Sequence, residues 1–221
     1  FPQTPPMDLP QANSPEVEKK MKVLKEKLDK YKDAILKDVE NITSISLLPP
    51  PKARPGEKLN PDEVHVFILV DDAKTDKFQR LPLIDKLTIQ TSKLATDIDK
   101  NFKPQVMLIS ELKEACYDAK HDLIAMIATS SIIHDKGLLS ALKVSEVHKN
   151  MTTKKFEKYV VSYIAVGSLF RGDADPKDID VAIIIDDTDV KRMSRFELKE
   201  KLRAIILTMG QDASHITGIK G

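Results

Sequence analysis

The chain has a single cysteine, Cys116, in 221 residues, so an internal disulfide and a Cys-rich metal site are both excluded. The ordinary reading of Cys116 is a small buried apolar side chain. No run of about 18 apolar residues occurs, so no membrane span is expected. No charged-then-apolar leader follows Phe1, and the chain is expected to be an intracellular, cytoplasmic protein and a piece of a longer one. An excess of one charge is also lacking. Lys+Arg number 35 and Asp+Glu 34, a formal net charge of +1. That balance argues against a broad electrostatic grip on nucleic acid or anionic lipid and leaves room for a local basic patch. Apolar residues make up 41%, which supports a packed core and excludes wholesale disorder. The length suits one large domain or two small ones.

Residues 1–13 hold Pro2, Pro5, Pro6 and Pro10 and read as a disordered tail. Ser14-Pro15-Glu16 is an N-cap, a first-turn proline and an acidic first turn. The long helix it opens carries Val17, Met21, Leu24, Leu28, Tyr31 and Ile35, a seam with alternating gaps of four and three. Such an arm packs on its own domain or, alternatively, forms a helix-mediated homodimer. Its Lys/Glu-rich face is a solvated surface. Ile42 to Leu48 is β-rich and stops at Pro49-Pro50-Pro51. Val64 to Val70 predicts a buried strand closed by Asp71-Asp72. A helix over 78–100, a short strand over 106–109, a helix over 111–130, an extended Ile132-Ile133 and a helix over 138–147 follow. The pattern then restarts: a strand ends at Val166, a polar loop runs from Gly167 to Lys177, and Ile179 to Ile185 predicts a second buried strand closed by Asp186-Asp187. Ser194-Arg195-Phe196-Glu197 is a capping box for a helix reaching about Met209.

Sliding the chain on itself by 115 positions turns the restart into a repeat. Val66 meets Val181, Ile68 meets Ile183, Asp71-Asp72 meets Asp186-Asp187, Arg80 meets Arg195 and Lys86-Leu87 meets Lys201-Leu202. Chance apolar similarity would match the strands but not the charges at one offset. Upstream the offset is 118, which brings Ser44 to Ser162 and Pro49-Pro50 to Gly167-Ser168. The expected organisation is therefore a first unit over 14–150 and a second over 151–221. The first unit's next strand, shifted by 115, falls at the chain's last residue. The second unit is thus expected to stop before its own third strand, unless that unit is simply shorter.

Chemistry concentrates in the second unit. Gly167-Ser168 follows a strand at once, and after nine intervening residues comes Asp178-Ile179-Asp180-Val181. Strand alternation points Asp178 and Asp180 to one face. Two carboxylates facing one way repel, and a divalent cation relieves them; Mg²⁺ suits the pair because it takes carboxylate and phosphate oxygens together. Gly167 lets backbone amides approach a phosphate, Ser168 adds a hydroxyl, and Arg171 is placed to grip a phosphate in bidentate fashion.

The segment Gly167 to Val181 resembles the active-site motif of the minimal nucleotidyltransferases, within the superfamily with the polymerase-beta-like fold. The resemblance lies in apolar-Gly-Ser, a spacer of this length, then Asp-apolar-Asp-apolar. It implies an α/β (α+β) fold of two nucleotidyltransferase-like units, each a small mixed sheet with flanking helices. It further implies that Asp178 and Asp180 hold Mg²⁺, that Gly167 and Ser168 cradle the triphosphate, and that a nucleoside monophosphate passes from an NTP such as ATP to an acceptor hydroxyl. The acceptor (RNA, protein or small molecule) stays open. The family's third carboxylate has no clear counterpart, with Asp212 the nearest acidic residue. The first unit departs from the motif: Glu63 and His65 stand opposite the aspartates, Pro-Pro opposite Gly-Ser, and Gln105, Val106 and Met107 at the third strand. It is expected to be an inactive pseudo-domain, Glu63 and His65 being solvated or structural rather than a metal pair. The rival to the enzyme reading is a binding or scaffold protein that keeps the fold without turnover. Asp186, Asp187 and Asp189 are expected to form a strand-to-helix turn rather than a cation site. His134-Asp135 is expected to be a surface pair, and His121, His148 and His215 show no ligand spacing.

Overall fold

The computed structural model describes residues 15–51, 60–167, 179–190 and 192–218. The expected tail, residues 1–13, lies outside them. Helix α1 (Pro15–Asp38) leads into strands β1 (Ile42–Leu47) and β2 (Val64–Val70). A short 3-10 turn (Lys77–Gln79) opens α2 (Arg80–Ile98), followed by β3 (Phe102–Leu108), α3 (Ile109–Tyr117), α4 (His121–Ala128) and β4 (Ser131–Asp135). Helix α5 (Leu138–Lys155), strands β5 (Val160–Val166) and β6 (Asp180–Ile185) and helix α6 (Arg195–Thr217) complete the described chain. The architecture is mixed α/β with two small sheets, one of four strands in the order β3-β2-β1-β4 and one pairing β5 with β6.

The four-stranded sheet is apolar on both faces and is covered on both. On one face Val66, Ile68, Val70, Ile42 and Ile45 pack against Leu28, Tyr31 and Ile35 of α1 and Leu87 and Ala95 of α2. On the other, Phe67 and Leu69 meet Leu112 of α3, Ile127 of α4, and Leu139 and Leu142 of α5. The C-terminal half of the α1 seam is thus spent on its own domain, while Met21 near its start is exposed. Strands β2 and β3 run parallel around α2, and β1 is antiparallel to both β2 and β4.

Several boundaries differ from the sequence expectation, each for a physical reason. Strand β3 starts before Pro104 rather than after it; as an edge strand it tolerates a missing N–H. The helix expected over 111–130 is two helices. Ala119 adopts φ +52°, the N–H groups of Ala119 and Lys120 donate to the carbonyls of Cys116 and Ala115, and α3 ends in a Schellman motif without its usual glycine. Cys116 is exposed on α3, not buried. Asp135 is no surface pair with His134. Its carboxylate accepts from the Ser44 hydroxyl and from the N–H groups of Leu139 and Ser140, capping α5. Helices α5 and α6 each run about two turns past their expected ends, and α5 crosses the expected unit boundary at residue 150.

The β5–β6 hairpin reproduces the β1–β2 hairpin pair by pair. Ile42↔Val70, Ser44↔Leu69, Ile45↔Ile68, Ser46↔Phe67 and Leu47↔Val66 become Val160↔Ile185, Ser162↔Ile184, Tyr163↔Ile183, Ile164↔Ala182 and Ala165↔Val181. Each hairpin has its register shift at the same step, after Ile42 in one and after Val160 in the other. The turns repeat too. The Asp71 carboxylate accepts from Ala73 N–H and that of Asp186 from Thr188 N–H. Arg80 Nε lies 2.9 Å from Asp72 Oδ2, and Arg195 Nε lies 3.0 Å from Asp187 Oδ2. Even the helix pairing recurs: Tyr31 donates its hydroxyl to the Thr91 carbonyl, and His148 Nε2 bonds the carbonyl of Ile206, the residue matching Thr91. The strand-to-helix turn expected at Asp186-Asp187 is therefore what those residues form.

Candidate active site

Strand pairing brings the two ends of the motif together. Val166 is the last residue of β5 and lies opposite Asp180, the first of β6. The next residue, Gly167, takes φ +111°, a conformation that a side chain would strain. A Cβ built there would stand 2.9 Å from Asp180 Oδ2. The absent side chain at 167 is therefore the space that the Asp180 carboxylate uses. Asp180 is exposed. Of the other expected site residues, Ser168, Arg171 and Asp178 lie outside the described residues. Asp212 is exposed on α6, well inside the helix rather than at its end.

Asp180 also lines a cleft of about 1110 Å³ between β6, α5 and α6. The strand contributes Val181, Ile183 and Ile185 to its wall, and α6 contributes Arg195, Lys199 and Arg203 at four-residue spacing. Four-residue spacing puts all three cations on one helix face. Arg195 is engaged with Asp187, and Lys199 and Arg203 line the cleft from α6, whereas Asp180 alternates with Val181, Ile183 and Ile185 and so belongs to the other, exposed face of β6. A carboxylate beside a bare glycine backbone can meet a metal-bound phosphate.

The sequence reading missed the back of this cleft. His148 is buried there, with Nε2 on the Ile206 carbonyl at 3.1 Å and Nδ1 on the Tyr163 hydroxyl at 2.9 Å. A carbonyl only accepts, so Nε2 carries the proton and Nδ1 accepts from Tyr163. Burial holds the His148 pKa below its ordinary value, partly opposed by the bond to Ile206. Burial, with the Glu146 charge as a smaller cause, pushes the Tyr163 phenol well above its usual range. Both groups stay neutral near pH 7. The signal that could have found His148 was the buried Tyr31 in the preceding copy, one helical position out of register.

In the first unit the matching site is occupied by its own neighbours. Glu63 lies 3.9 Å from Lys103 Nζ and 3.9 Å from His65 Nε2, and Gln105 bonds His65 Nδ1 at 3.3 Å. Strand β3 thus supplies a cation and an amide where a metal would have to sit. Among the described residues no three His, Cys, Asp or Glu side chains gather as a metal cluster. Among them also, no helix is long and apolar enough to cross a membrane. Comparison of the chain with family models, with curated proteins and with solved structures finds no match.

Proposed function

We propose that the chain is a nucleotidyltransferase that moves a nucleoside monophosphate from an NTP to an acceptor hydroxyl, working through the second unit alone. The observation that carries this reading is the Asp180 carboxylate lodged against a side-chain-free, positive-φ Gly167 where two paired strands end. A bare backbone beside a carboxylate suits a phosphate bridged to a cation. In this reading Asp180 and Asp178 hold Mg²⁺, Gly167 and Ser168 receive the triphosphate, and Arg171 offsets its charge. Bound Mg²⁺ supplies charge neutralisation at the phosphorus under attack. The acceptor is an RNA, a protein or a small molecule, and the composition favours none of them.

The test is Mg²⁺-dependent NTP binding and transfer, measured by calorimetry and by release of pyrophosphate. Asp180→Asn keeps shape and removes charge. It is expected to lower Mg²⁺-dependent nucleotide affinity by about 100-fold or more, since even residues one shell away from a metal cost about 10- to 100-fold. Unchanged metal-dependent binding in Asp180→Asn rejects the reading. A second reading, a binding or scaffold protein of the same fold without turnover, is favoured by the Glu63, His65 and Lys103 arrangement in the first unit. Nucleotide binding that ignores Mg²⁺ altogether supports that one.

A further inference from the structure

The two hairpins match in register, turn and ion pair, yet their outer edges do not. Strand β2 is bonded on both edges, to β1 and to β3. Among the described residues β6 is bonded on one edge, to β5. The space beside it is open as well. Val66, Ile68, Leu87 and Ala95 are buried in the first core together with Phe102 and Leu108 of β3. Their counterparts Val181, Ile183, Leu202 and Gly210 all line the cleft of about 1110 Å³. Ala95 is 1% exposed, whereas a Cβ at Gly210 would touch nothing within 4 Å. Tyr31 packs on the Phe102 ring at 5.4 Å, and its counterpart His148 lines the cleft. Among the described residues the missing neighbour is therefore strand-shaped: neither the outer edge of β6 nor the apolar wall behind it has a partner there.

From this we infer that the β6 edge and the cleft behind it bind an extended polypeptide strand, running parallel to β6 and patterned like β3. The register follows from the first unit, where Val64, Val66, Ile68 and Val70 pair with Phe102, Pro104, Val106 and Leu108. Transposed, Ile179, Val181, Ile183 and Ile185 pair with the first, third, fifth and seventh residues of the incoming strand. Phe102 and Leu108 are buried, and Val106 is partly buried against the same core. The strand is thus apolar at its first, fifth and seventh positions, the first reaching towards His148. The described strands sit in sheets of their own, β3 and β4 as the edges of the first, and the occupant is a further polypeptide segment with this apolar pattern. Strand addition of this kind draws affinity from main-chain hydrogen bonds and specificity from alternate side-chain pockets. It does not depend on nucleotide chemistry at Asp180.

The experiment uses the full chain and, as probe, a synthetic peptide with the sequence of Phe102–Leu108. Hydrogen exchange is followed residue by residue. The peptide is expected to slow exchange about tenfold or more at alternate amides of β6, and a spin label on its first residue is expected to broaden Ile179 rather than Ile185. A peptide carrying Phe102→Asp, Val106→Asp and Leu108→Asp should protect nothing. The same strand is also joined after Gly221 by a flexible linker, which raises its effective concentration to about the millimolar range and reveals weak pairing. Protection of β6 by the tethered strand alone still supports the inference. No protection by either form overturns it. So does protection confined to β3 or β4, equal protection by the Asp-bearing peptide, an antiparallel label pattern, or protection by Mg²⁺·ATP and not by the peptide.

Discussion

Gly167 and Asp180 illustrate how much one missing side chain decides. The carboxylate stands where an alanine methyl would go, and the backbone there is one that L-residues avoid. Gly167→Ala therefore meets two penalties, a clash with Asp180 Oδ2 and a positive φ. The expected cost is about 1–2 kcal/mol from the backbone alone, read as a lower urea midpoint. Asp180→Ala removes the clashing oxygen and leaves the strain. The double variant should then recover part, and only part, of the loss. Full recovery would make the contact the whole effect, and no loss in Gly167→Ala would mean that the turn reshapes freely. The meeting of Gly167 with Asp180 was legible because the glycine ends one apolar run and the acid begins the next. The depth of His148 was not, because the residues flanking it on the buried side of α5, Ser145 and Thr152, are polar and hide the apolar period that marks a buried face.

Two ion pairs at equivalent places in the two hairpins have unequal surroundings. Asp72 is 3% exposed and also accepts from Ser110 N–H, whereas Arg195 in the other pair is 90% exposed. The Arg80–Asp72 contact is ionic, the guanidinium N–H not being aimed at the oxygen. Removing Arg80 leaves a buried carboxylate half satisfied. Arg80→Ala is expected to cost about 2–3 kcal/mol, reduced from the full buried-pair value because Arg80 is partly exposed. Arg195→Ala should change stability within error, because exposed pairs are screened. Equal effects in a denaturant titration would contradict this account. The helix pairing yields a pH prediction. His148 has a folded pKa below its ordinary value, so the unfolded chain binds more protons as pH falls. Stability should be level above about pH 7, fall as pH drops through the ordinary histidine value, and level off below the depressed one. His148→Gln should flatten that slope; an unchanged slope would assign it to other groups. At this scale the sequence was read best where apolar period and caps agreed, as at β2 and Ser194, whose hydroxyl accepts from Glu197 N–H; β6 forms where expected but is not the buried strand expected, its residues alternating between exposed and half-buried. It was read worst where tertiary bonds override local signals, as with Ala119 ending α3 and Asp135 capping α5.

Viewed whole, the molecule is two copies of one hairpin covered to different extents, joined through α5. One side of α5 gives Leu139 and Leu142 to the core of the four-stranded sheet; Ser145, His148 and Thr152 are buried farther along the helix, where His148 bonds α6 and β5. The repeat offset made the second hairpin legible from sequence to the residue. What it could not convey was that cover, because packing depends on the elements brought to each face and not on the hairpin itself. The first sheet is covered on both faces. The second exposes Val161, Ile164 and Ile184 on one face and fronts the cleft on the other. Fewer buried apolar contacts mean a lower free energy of local opening. Amides of β1 and β2 should therefore exchange only through global unfolding, while those of β5 and β6 exchange through a partial opening that leaves the first sheet intact. The expected difference is at least tenfold in rate, about 1.4 kcal/mol, with the β5–β6 opening showing the smaller dependence on denaturant. Amides of α5 decide the hinge. If its first two turns exchange with the first sheet and its last two with the hairpin, the helix belongs to both cores and yields from its C-terminal end. Exchange of the whole of α5 at the hairpin's rate would mean instead that β4 and α4 hold the first sheet closed without it.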